Sequence, residues 1–475
     1  MEKEKQMQKR YGLWTAIGMV VGTVIGSGVF FKAQSVLYSN GGNMLGSLLT
    51  VLLVGLVMLV CSYCFSLLAA RTVKVNGLVD YSEIALGKLY AYGVGWFITT
   101  IFYPTLTACL AWISASYTLV LFGVSGAHWG WHLGLTVVYL LVSFALNIIS
   151  PNLSGKFQVS TTFIKLVPLV VMAIVGTAVG IFRGDLMQDV QVSTVSATGE
   201  SSGGILGAVV AFAFAFEGWI FATCINSELK DAKKNLPRAL FFGAIVIIAV
   251  YLGYFIGIFA TLTPDEILAS ENLPKDAFTA LFGNQIFGTV AYVFVVISCL
   301  GTMNGLVLAS CRGIYSVAVR GEGPMPEYFS KINPKFNMPI RSSVFGLVMV
   351  FIWLLQWQIG FINGDLPRFI SFENDELPII CFYACCVPIF IYIMKECRDL
   401  GFVKRFVIPS LSSAAAIFMV FAAVYKYRLE ALNYLLVFTV IMAVGMLFYR
   451  VNNKTVIAVI YERMKNVFSP ERKNK

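Results

Sequence analysis

The sequence is short of charge. Asp, Glu, Lys and Arg make up 13% of its 475 residues, 58% are hydrophobic, and mean hydropathy is +0.78. A water-soluble chain carries about 25% charged residues, so a soluble domain of this size is excluded. Histidine is almost absent. The two present, His128 and His132, fall between apolar runs in what reads as an external loop, which excludes a buried histidine proton relay. The ten cysteines lie mostly inside apolar runs, with Cys397 at a loop edge, and no pair has the spacing of a metal site or a secreted disulfide. They read as small apolar packing residues. No P-loop, no Cys-His or Ser-His-Asp constellation and no metal-ligand cluster is present, and Ser27 between glycines is not an activated nucleophile. The chain reads as a non-enzyme without cofactor or metal. Its net charge of +10 is spread over many short loops rather than gathered into a patch, so nucleic acid is not an expected partner. A small-residue cleavage site is also missing after the charged stretch Met1 to Arg10, so no cleavable signal peptide is expected.

What is there in quantity is long apolar sequence. The runs are continuous rather than alternating, which excludes a β-barrel and predicts an all-α polytopic membrane protein. Twelve transmembrane helices are expected, near 13–36, 44–68, 91–121, 133–150, 157–182, 204–227, 239–262, 283–312, 342–357, 376–395, 403–425 and 430–449. Pro237 suits the first turn of the seventh. Alternate loops collect 28 Lys and Arg residues on one side and six on the other, Lys32 and Lys426 among the six. The positive-inside rule then makes both termini cytoplasmic.

The thirty-fifth basic residue is Lys165, well inside the fifth span. An unpaired lysine at a helix centre costs about 2.5–3.5 kcal/mol on insertion scales, which favours a functional residue facing the bundle interior over one reaching the interface.

Two spans carry helix-breaking sequence. The first contains Gly22-Thr23-Val24-Ile25-Gly26-Ser27-Gly28-Val29-Phe30. Each glycine costs about 1 kcal/mol against alanine in a helix. A break here exposes backbone N–H groups at the start of a half-helix, a site for a carboxylate; a glycine face for close packing is the alternative. The second is Phe212 to Trp219, where Glu217 and Gly218 sit inside the sixth span. Glu217 serves either as a hydrogen-bond partner of freed backbone groups or in coupling and substrate contact. Five spans separate the breaks. An odd number forces opposite orientation, so the halves are expected to be inverted repeats. The expected organisation is a cytoplasmic N-terminus (1–12), a first five-helix repeat (13–182), a second, inverted repeat (204–395), two additional helices (403–449) and a cytoplasmic tail (450–475). Ser298, Thr302 and Asn304 place polar groups within span eight, for pairing across helices.

Gly22 to Phe30, Phe214 to Trp219, Glu228 to Arg238 with its Asn235-Leu236-Pro237-Arg238, and Ser298 to Pro326, in this order, resemble the amino acid–polyamine–organocation (APC) superfamily, in particular its bacterial L-type amino acid exchanger-like permeases. The loop from Leu67 to Lys88 departs from that pattern, with Asn76-Gly77-Leu78 where a Gly-Gly pair is common. The resemblance implies a leucine-transporter-like 5+5 inverted repeat. It implies substrate binding by backbone N–H groups around Gly26, Ser27 and Gly28 and by carbonyls near Val24, Phe214, Glu217 and Gly218. It further implies Phe216 as a gate, and Lys165, Ser298 and Thr302 in conformational coupling, with Lys165 where sodium-coupled relatives hold an ion. The expected function is sodium-independent exchange of neutral amino acids by alternating access in the plasma membrane. A proton-coupled amino acid or amine symporter, a non-transporting sensor and a membrane-embedded transferase are the alternatives. The partners expected are a small-molecule amino acid and the lipid bilayer, with no obligatory protein partner.

Overall fold

The computed structural model describes residues 12–26, 28–71, 78–124, 129–183, 204–219, 229–451 and 454–455. Ser27, His128, Asn76, Gly77, Glu228, the N-terminal stretch before residue 12 and the tail after residue 455 lie outside the described residues.

Sixteen helical elements matter here. They are α1 (Leu13–Val24), α2 (Gly28–Ser39), α3 (Met44–Ala69), α4 (Leu78–Leu121), α5 (Trp129–Ile149) and α6 (Pro151–Arg183). Then come α7 (Gly204–Ala213), α8 (Ala232–Phe259), α9 (Pro264–Ala269), α10 (Leu273–Phe282) and α11 (Gln285–Ala318). The chain continues with α12 (Pro326–Phe329), α13 (Ile340–Ile362), α14 (Leu377–Glu396), α15 (Val403–Tyr427) and α16 (Leu429–Leu447). A two-residue ladder, Arg450–Val451 against Lys454–Thr455, follows. Among the described residues ten helices are long and apolar enough to cross a membrane. The expected first and sixth spans are instead broken, represented by shorter apolar helices.

Helix boundaries move in physically interpretable ways. α8 starts at Ala232, so Pro237 lies inside the helix rather than at its first turn. His132 is not in a loop: it sits in the first turn of α5, half-buried, its ring 4.3 Å from that of Trp112. Gly87, at φ +81°, separates a short interfacial helix from the membrane part of α4. A wide turn at Ile98–Phe102 precedes Pro104, whose ring would clash with a regular helical carbonyl four residues earlier.

The helices sort into two packed groups. α8 lies along α3 and α1, and α7 along α2. α11 packs on α4, α6 and α13. Helix α6 therefore runs between the groups. Its contact with α8 is backbone to backbone: a Cβ on Gly257 would fall 2.1 Å from the Met172 carbonyl, and one on Gly253 would fall 2.8 Å from the Ala173 Cβ. Gly253 and Gly257 form the small-xxx-small face that lets two membrane helices approach this closely.

Candidate functional site

The first helix stops where its glycines predict. Ile25 makes the last helical hydrogen bond, to Val21, and then turns extended at ψ 101°. α2 begins at Gly28. Such a stop strands carbonyls at the end of α1, and side chains from other helices take two of them. Lys165 Nζ donates to the Gly22 carbonyl at 2.7 Å, and the Tyr251 hydroxyl lies 3.4 Å from the Val24 carbonyl. Lys165 is 1% exposed, so it does not reach the interface.

α6 is wedged in at this level by small contacts on both sides. A Cβ on Gly22 would meet Thr162 Cγ2 at 2.4 Å, and one on Gly301 of α11 would meet Thr161 Oγ1 at 2.3 Å. Adjacent threonines thus dock α6 against α1 and α11. Lys165 continues on the α1 side one turn later.

The second break is a 3-10 turn, Phe214–Phe216, after which Glu217 becomes extended and Gly218 takes φ +109°. That φ is left to glycine, because a Cβ would be strained there. Tyr251 also donates to the Ala215 carbonyl at 2.7 Å, so one hydroxyl faces both breaks. The breaks touch: a Cβ on Gly28 would lie 2.8 Å from the Ala215 Cα and 3.0 Å from the Phe214 ring.

Phe214 and Phe216 part company. Phe214 lies over Gly28 and edge-on to Phe31, ring centroids 5.3 Å apart. Phe216 is fully buried among Phe212 and Tyr251 and faces Gly55 of α3. The Thr302 side chain abuts Gly26, where a Cβ would meet its Oγ1 at 3.0 Å, and its hydroxyl donates to the Ser298 carbonyl. Several buried polar atoms nearby make no well-formed hydrogen bond among the described residues: both Glu217 carboxylate oxygens, Trp219 Nε1, the Tyr383 hydroxyl and the Ser298 hydroxyl. Asn304 instead joins Ser143, Asn147 and Ser154 in a buried network linking α5, α6 and α11.

The fold also assembles charges that sequence reading left in loops. In the second turn of α2, Lys32 is 4% exposed. It pairs with Asp375 at 2.6 Å and Glu376 at 2.7 Å, just before α14. Lys426, at the end of α15, pairs with Glu376 at 2.6 Å. The Tyr427 hydroxyl donates to Glu376 at 2.5 Å and also to Glu373. Glu373, Asp375 and Glu376 gather within 4.8 Å of one another, an acidic cluster that the sequence reading did not find. Two ammonium groups and a phenol meet these carboxylates, while Asp375 Oδ1 makes no hydrogen bond among the described residues. The sequence signals were an acidic run directly ahead of a span and a lysine inside the first expected span.

Two interrupted helices whose breaks touch, capped by a buried lysine and a shared tyrosine, define an integral membrane transporter of the broken-helix type. The chain belongs to the amino acid permease family, whose model matches residues 11–461. It is 30% identical over 356 residues to the serine/threonine exchanger SteT of Bacillus subtilis, covering 74% of this chain and 78% of that protein. It is 26% identical to the human cystine/glutamate transporter over 90% of this chain and 82% of that protein. To the human large neutral amino acids transporter small subunit 2 it is 28% identical, over 75% of this chain and 67% of that protein. A crystal structure of MhsT in complex with L-phenylalanine shares the fold, with a TM-score of 0.55 over 91% of this chain and 99% of that one at 13% identity. The fold is the leucine-transporter-like one. The protein is an amino acid transporter and not an enzyme.

Proposed function

We propose sodium-independent exchange of neutral amino acids by alternating access, carried by one observation: the Lys165 ammonium on the Gly22 carbonyl. A cation is already fixed at the carbonyl end of the first half-helix, where a sodium ion would need the same oxygens. The start of α2 offers free N–H groups to a substrate carboxylate. The chain around Val24, Gly26, Ser27 and Gly28 serves that end, and Phe214, Glu217 and Gly218 serve the ammonium. Phe214 is the gate in this reading, because its ring covers Gly28; Phe216 supports the turn from behind. Ser298 and Thr302 link the first break to α11.

In this reading residues 13–182 and 204–395 form the two inverted repeats, 403–449 adds two helices, and both broken segments count among twelve crossings. Residues 1–12 and 450–475 then face the cytoplasm of a plasma membrane, and the single chain transports without an obligatory protein partner. Proteoliposomes containing only this chain provide the test. Uptake of a labelled neutral amino acid without sodium, dependent on internal unlabelled amino acid, supports the proposal. Uptake into empty vesicles under an acid-outside gradient overturns it in favour of proton symport.

A further inference from the structure

At the membrane face opposite the Lys32 cluster, a cavity of about 550 Å³ opens between the end of α3, the start of α8 and the start of α15. Arg71, Lys233, Lys234, Arg238 and Lys404 line it, with Asp399 the one acid among the described residues that do so. Arg71 and Asp399 pair with each other, which holds the Asp399 carboxyl below its usual value and leaves both charges matched. Among the described residues the other four cations make no ion pair, and all four are exposed. The excess of positive charge is therefore real and local.

A bias of basic residues toward one face is ordinary in membrane proteins. What sets this group apart is convergence on one cavity with an apolar wall. Tyr63, Phe241 and Phe242 are aromatic members of that wall. Phe242 is 48% exposed and leads along α8 to Ile245 and Val246, both exposed on the membrane-facing surface. A soluble anion would use the charges and leave that apolar strip idle. A phospholipid uses both, placing its phosphate among the cations and its acyl chains down α8.

We propose that this cavity binds the headgroup of an anionic phospholipid from the leaflet on that face, with Lys234, Arg238 and Lys404 holding the phosphate. Such basic recesses between membrane helices suit acidic headgroups. A bound lipid would bridge α3, α8 and α15. The inference needs only that the chain spans a membrane, so its failure leaves the transport reading untouched.

The test uses the full chain in neutral detergent. Dioleoylphosphatidylglycerol or dioleoylphosphatidylcholine is titrated in, and lipid retained per protein is counted by native mass spectrometry. The expected result is one retained phosphatidylglycerol and no comparable phosphatidylcholine. The triple variant Lys234→Gln, Arg238→Gln, Lys404→Gln should weaken retention on the order of a hundredfold, while Lys234→Arg with Lys404→Arg retains it. Thermal unfolding without lipid checks that each variant is folded. Equal retention of the two lipids by the unsubstituted chain overturns the proposal, and that comparison decides the matter even where the triple variant does not fold. So does unchanged phosphatidylglycerol retention in a folded triple variant. Displacement of the lipid by millimolar inorganic phosphate also overturns it, in favour of a soluble-anion site.

Discussion

Lys165 and Gly22 are 143 residues apart and joined by a 2.7 Å hydrogen bond from ammonium to carbonyl. That bond satisfies a carbonyl which the interrupted helix leaves without an intrahelical partner, and it ties α6 to the first break. Hydrogen bonds from charged donors are worth about 1.5–3 kcal/mol, so Lys165→Ala should slow sodium-free exchange on the order of tenfold to a hundredfold. Exchange kinetics in proteoliposomes measure this. An unchanged rate in a variant that elutes as a single folded species would remove Lys165 from the mechanism.

Gly28 faces backbone that cannot yield. In Gly28→Ala the new Cβ meets the Ala215 Cα at 2.8 Å, and overpacking of this kind costs about 1–3 kcal/mol. Gly305→Ala makes a useful contrast, since its neighbour is the Gln158 side-chain end at 3.3 Å, which can turn aside. Thermal unfolding in detergent should fall clearly for Gly28→Ala and hardly at all for Gly305→Ala.

Phe214→Ala and Phe216→Ala should fail in different ways. The Phe214 ring covers the first break, so its loss should impair substrate occlusion and exchange more than stability. The fully buried Phe216 sits in an aromatic cluster, where truncation costs about 3–5 kcal/mol. Transport and melting temperature, measured side by side, separate the two. The opposite ranking would return the gate to Phe216.

Glu376 serves two lysines and a tyrosine. Removing one partner of a buried pair costs up to about 3–5 kcal/mol where the remaining charge is left uncompensated, and less here because Asp375 still holds Lys32. Glu376→Gln should therefore loosen α2 from the residues before α14 and from the end of α15, and raise thiol labelling of a cysteine placed at Val29. The double variant Lys32→Gln, Glu376→Gln should recover part of the lost stability; strictly additive effects would mean that the two residues do not interact.

The breaks were legible because glycine and a stray carboxylate are costly inside an apolar span, whatever surrounds them. The depth of Lys165 was legible for the same reason. The facing of Phe214 and Phe216 was not, since both follow the same aromatic alternation. Which ring meets Gly28 depends on where α7 tightens into a 3-10 turn, the turn in which Tyr251 holds the Ala215 carbonyl. The Lys32 cluster stayed hidden for a different reason. Its charged members lie up to 394 positions apart, and each, taken singly, looks like an ordinary charge near a membrane edge. His132 was misplaced because the apolar pattern alone does not mark the first turn of α5, which begins at Trp129.

The sharing of Glu376 also has an electrical side. Lys32 rides on α2, one half of a broken helix, whereas Asp375 and Glu376 stand just before α14 and Lys426 ends α15. If α2 swings outward during transport, Lys32 takes a whole positive charge away from carboxylates that remain behind. A full elementary charge moved across a membrane is worth about 2.3 kcal/mol per 100 mV, and a partial displacement is worth its share of the field crossed. Opening that face would then depend on voltage even when the amino acid carried is electrically neutral.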